Sequence, residues 1–160
     1  MADSGSKPRD ERWGSYPETV LIFAGDAEIF VDLREPVPPA TRAAFAEIGL
    51  GGTFSILTAF NPRGIDLPAE ENDRRMAELE SELRSSGDDF VRVDACSPDR
   101  SHCECSVALK GEIGLALDIA RRWEQIAIFW WDGSTFWIQA AITDGHLRLP
   151  VQASQWQAGA

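Results

Sequence analysis

Apolar and polar residues are distributed along this chain in blocks whose periods change from two to about 3.6 and back. Thr19 to Leu33 predicts a β-hairpin. Val20-Leu-Ile-Phe-Ala and Ala27-Glu-Ile-Phe-Val-Asp-Leu flank Gly25-Asp26, where glycine in the first central position suits a two-residue type II′ turn. Pro36, Pro38 and Pro39 end the second strand, and Thr41 to Ile48 predicts a short helix stopped by Gly49. Thr53 to Phe60 is apolar or small on both faces, the pattern of an interior strand covered twice. After Asn61-Pro62-Arg63-Gly64, a turn by composition, a helix is expected from a cap at Asp66 to about Ser85, closed by Gly87. Its apolar stripe is Met76, Leu79 and Leu83.

Asp89 to Val93 and Ser101 to Leu109 read as strands. In the second, Cys103, Cys105, Val107 and Leu109 share one face, while His102, Glu104, Ser106 and Ala108 share the other. Glu112 to Glu124 is helical in pattern, through Ile113, Ala116, Leu117 and Ala120. Ile126 to Trp131 and Ser134 to Gln139, joined by Asp132-Gly133, predict a second two-residue hairpin, with Phe129 opposite Phe136 and Ile128 opposite Trp137. Asp144-Gly145 turns the chain into His146 to Leu149. Hairpins at both ends and helices between them predict an α+β fold: one mostly antiparallel, mixed sheet with two main helices packed on it. The domain should span residues 19–151, with a flexible tail at 1–18 and a frayed tail at 152–160.

Composition narrows the partners. The chain has 160 residues, room for one domain, with 15 Lys+Arg against 26 Asp+Glu and a net charge of −11. That balance argues against nucleic acid and against anionic membranes, both of which require cationic surface. The first 18 residues have no apolar core, and no run approaches 18 apolar residues, so a cytoplasmic protein is expected. Cys96, Cys103 and Cys105 are then read as free thiols, with Cys103 and Cys105 packed in the core on the apolar face of their strand. Their spacing suits a zinc knuckle poorly, so no metal or other cofactor is expected.

Candidate chemistry is sparse. His102 and Ser106 share a strand face, but four residues separate them by about 13 Å, too far for a Ser–His hydrogen bond of about 3 Å. No Gly-x-Ser-x-Gly elbow and no P-loop occurs. What stands out is polarity where the pattern asks for apolar residues. Asn72 continues the Met76–Leu79–Leu83 stripe, Asn61 ends the buried strand, Glu104 lies mid-strand, and Gln125 joins a helix to an apolar strand. The charges Arg74, Arg75, Glu78, Glu80 and Glu82 look like a solvated helix face.

Four motifs in order, Thr58-Ala-Phe-Asn61-Pro62, Glu71-Asn72, His102-Cys-Glu104-Cys-Ser106 and Trp123-Glu-Gln125-Ile-Ala127, resemble the bacterial domain-of-unknown-function family 3293. The resemblance covers about residues 53–131. It departs from the family where cysteines flank Glu104 and His102 replaces an aromatic residue. It implies a small cytoplasmic bacterial protein and points to the same four polar residues, with no activity attached. Two functions follow as expectations. In the first, Asn61, Asn72 and Gln125 bind a small polar ligand and Glu104 is the acid/base candidate. In the second, these residues only lock the fold, and the acidic surface or the Trp hairpin binds a protein.

Overall fold

The computed structural model describes residues 15–25 and 28–150, and all that follows concerns those residues. Eight strands, β1 (Val20–Phe23), β2 (Ile29–Asp32), β3 (Phe54–Leu57), β4 (Phe90–Cys96), β5 (Cys103–Lys110), β6 (Ala127–Trp131), β7 (Phe136–Ala140) and β8 (His146–Arg148), form one sheet. Its order is β2-β1-β4-β5-β3-β6-β7-β8, with every neighbouring pair antiparallel. The architecture is therefore α+β as expected, without the parallel pairing that a mixed sheet would include. There are three helices: α1 (Pro39–Glu47), α2 (Ala69–Ser86) and α3 (Ile113–Arg122).

Alternation along the strands divides the interior into two cores. Phe54 and Ile56 of β3 and Ala108 of β5 point to the side where Phe45 of α1 packs against Phe23, Phe54, Trp131 and Phe136. Leu57, Val107 and Leu109 point to the other side, against Met76, Leu79 and Leu83 of α2 and Ala116, Ile119 and Ala120 of α3. The two main helices thus share one face, and α1 covers the other. β3, paired with β5 on one edge and β6 on the other, has all four residues buried. This is the doubly covered strand that its apolar run predicts.

Several local expectations are corrected. The β1–β2 register pairs Phe23 with Ile29, one residue off the pairing that a two-residue Gly25-Asp26 turn would give. Part of the Gly25-Asp26 turn itself lies outside the described residues, as do the expected tails at residues 1–14 and 152–160. Tyr16–Glu18, at the end of the segment expected as a tail, forms a 3-10 turn with Pro17 buried. Helix α2 begins after Pro68, which makes no side-chain cap, so Asp66 is not its N-cap. Its far end closes as expected on Gly87 at φ 76°, a left-handed cap that a Cβ would oppose. In the second hairpin Trp131 pairs with Phe136, and Phe129 with Ile138, a register two residues from the expected one. The cause is Asp132: its Oδ1 accepts the Ser134 and Thr135 amides, holding a four-residue turn that glycine alone would not require.

A candidate ligand cleft at the end of β3

Strand β3 ends at Leu57, and Thr58 carries its pairing one step further by donating its hydroxyl to the Cys105 carbonyl, 2.6 Å away. The chain then turns sharply at Asn61, which sits in the left-handed region at φ 48°. Asparagine tolerates that conformation better than other side-chain-bearing residues. Asn72, buried on the inner stripe of α2, fixes the turn. Its Oδ1 accepts the Asn61 amide at 2.9 Å and its Nδ2 donates to Asn61 Oδ1 at 2.9 Å. Asn61 Oδ1 also accepts the Leu67 amide at 2.9 Å. These backbone partners decide the orientation of both amides, so Asn61 Nδ2 is directed at Glu104 Oε2, 3.3 Å away.

Glu104 lies on the α1 side of β5, opposite the face that α2 covers, so it meets Asn72 only through Asn61. His102 Nε2 stands 3.5 Å from the same Oε2. Glu104 Oε1 has no hydrogen-bond partner among the described residues. Gln125 is the fourth expected residue. It is 6% exposed, and its Nε2 donates to the carbonyls of Phe60 and Trp123 at 3.0 and 3.2 Å. Two carbonyls can be met only by the donor end of the amide, which leaves Oε1 as a nearly buried acceptor without a partner among the described residues.

Asn61, Glu104 and Gln125 come together on one cleft of about 460 Å³. Tyr16, Phe60 and Phe129 add aromatic wall. A smaller recess beside it shares Glu104 and Gln125 and reaches toward Ile56 and Ser106. Asn72 is not among the lining residues; it stands behind Asn61 as the group that holds it. Of the four non-glycine residues with positive φ, three are Asn61, Arg63 and Glu124, all at this end of the molecule. The Arg63 amide donates to the Glu124 carbonyl at 2.7 Å, tying the two strained turns together. Backbone held in such conformations is found where surrounding structure enforces it, and functional sites are one such place.

Three residues of the expected solvated helix face are engaged instead, Glu82 among them by accepting the Trp123 indole N–H at 3.3 Å. Arg75 donates to the Ala59 carbonyl at 2.7 Å and the Trp123 carbonyl at 2.9 Å, and stacks over the Trp123 ring. It thereby clamps both loops that carry the cleft residues. Glu80 is buried and accepts two hydrogen bonds from Arg92, at 2.9 and 2.7 Å. The Arg92 guanidinium, ahead of Arg84, holds its carboxyl below the usual value of 4.5. Their positions were a usable signal: Arg75 is three residues from Asn72, and Glu80 is four from Met76, both on the shoulder of the buried stripe.

The cysteines overturn their sequence reading. Cys96 and Cys103, directly opposite on β4 and β5, form a disulfide. Cys103 and Cys105 are exposed, so they are not core-packed thiols, and full burial along the strand begins only at Ser106. Cys105 is the free one, with burial of its sulfur and the neighbouring Asp94 carboxylate pushing its thiol above 9.0. Inside the disulfide loop Asp99 accepts from the Ser101 amide, the Ser101 hydroxyl and the Ser97 hydroxyl. These bonds pull its carboxyl down to about 2 and shape the loop that carries His102. No group of three or more His, Cys, Asp or Glu among the described residues is placed to hold a metal ion.

Residues 57–128 match the family model described as Protein of unknown function (DUF3293). This is the family that the four motifs resemble, and the matched stretch contains Asn61, Asn72, Glu104 and Gln125. No curated protein and no solved structure gives a significant match.

Proposed function

We propose that this protein binds a small polar ligand in the cleft at the end of β3. The carrying observation is convergence: Asn61, Glu104 and Gln125, from three separate loops and strands, line one concavity while Asn72 and Arg75 fix the loops from behind. Polar groups that converge on one concavity beside aromatic wall are a usual signature of a binding pocket. Gln125 spends its Nε2 on two backbone carbonyls, while its Oε1 and Glu104 Oε1 are left without a partner among the described residues. Glu104 is the group that would exchange a proton with the ligand, since its Oε2 is steadied by Asn61 and His102.

The alternative, docking of a protein on the Trp hairpin, is less well supported. Trp131 is buried among Phe45, Phe54 and Phe136, and Trp137 spends its indole N–H on Asp132 Oδ2 at 2.8 Å. The reading is tested by screening polar metabolites for a rise in melting temperature, then repeating the hits on Glu104→Gln. A hit whose effect disappears in the variant is expected. A panel without hits, or hits that ignore the substitution, would contradict it.

A further inference from the structure

Resting on that reading, we propose that the cleft takes organic cations carrying N–H donors, a primary ammonium or a guanidinium group. The leftover groups set this chemistry. Gln125, 6% exposed, leaves its Oε1 without a partner among the described residues, and Glu104, its side chain 25% exposed, leaves Oε1 as a second acceptor. Both accept and neither donates, so a ligand N–H finds two acceptors. Charge agrees with this: among the described residues, Glu18 and Glu104 line the cleft and no lysine or arginine does. The rings of Tyr16 and Phe129, 6.1 Å apart and edge to face, offer π surface suited to a cation and to its carbon skeleton. At about 460 Å³ the space suits a metabolite-sized molecule and exceeds the need of a bare metal ion.

The test is an NMR titration of the ¹⁵N-labelled full chain with four probes: agmatine, tetramethylammonium, glycerol and citrate. Agmatine is expected to move the side-chain amide resonances of Asn61 and Gln125 saturably. Tetramethylammonium, a cation without donors, should bind about tenfold more weakly, the loss that goes with forfeiting charged hydrogen bonds. Glu104→Gln should weaken agmatine by a similar factor with its spectrum otherwise unchanged. Citrate or glycerol moving the same resonances in preference to agmatine would overturn the cation proposal and leave the ligand cleft standing. Agmatine shifts spread over acidic surface residues, with Asn61 and Gln125 unmoved, would also overturn it, and the comparison of probes on the unaltered chain holds whether or not the variant folds.

Discussion

Asn72 has two hydrogen-bonding duties, and they can be separated by substitution. Its Oδ1 satisfies the Asn61 amide and its Nδ2 satisfies Asn61 Oδ1, both inside the protein. Asn72→Leu should therefore lower stability by about 1–3 kcal/mol, the cost of orphaned buried partners. An unchanged urea midpoint would contradict the network. Asn72→Asp keeps the acceptor and should lose less at acidic pH, where the carboxyl is protonated. Glu80 makes a pH prediction. Its folded carboxyl titrates below the unfolded value of about 4.5, so its contribution is fully present above that pH and is lost as pH falls through the lower, folded value. Glu80→Gln should lower the urea midpoint at pH 7 and flatten the fall in stability below pH 4.5; parallel pH curves for the two proteins would count against the Arg92 pairing.

At the scale of elements, the β4–β5 hairpin is held by a covalent tie as well as by its ladder. Closing the short loop from Cys96 to Cys103 should be worth roughly 2–3 kcal/mol by restriction of the unfolded chain. Reductant, or Cys96→Ser, should lower the melting temperature accordingly. Alkylation of the unreduced native protein should label one cysteine of the three, Cys105, and slowly at neutral pH because its thiol is raised. Labelling of all three would contradict the bridge. In the central strand, Ser55 Oγ is buried without a hydrogen bond, so Ser55→Ala should leave stability equal or raise it by about 1 kcal/mol in thermal melts. The elements themselves were legible because period and punctuation report local forces: the β3 run, the α2 stripe and the Gly87 stop all stand where pattern puts them. Turn lengths and the disulfide were not. Asp132 sets its turn through side-chain bonds that composition cannot count, and the Cys96–Cys103 contact depends on a register fixed by the whole sheet.

For the molecule as a whole, the order β4-β5-β3-β6 is what brings the cleft residues together. Threading β3 between β5 and β6 brings its end beside Glu104 on one neighbour and Gln125 at the start of the other. Residues 43 and 64 positions further along the chain thus share one cavity with Asn61. The four polar residues stood out in the sequence because each breaks an apolar pattern, and three of them line the cleft. The supporting role of Asn72 and the clamp made by Arg75 depend on packing that no linear pattern contains. The most direct test is a crystal structure of the protein grown with its strongest thermal-shift ligand. The account predicts density in the cleft within hydrogen-bond distance of Glu104 and Gln125, with Asn61 and Asn72 unmoved. Ligand bound elsewhere, or Glu104 Oε1 and Gln125 Oε1 both taken up by the protein's own donors, would contradict it.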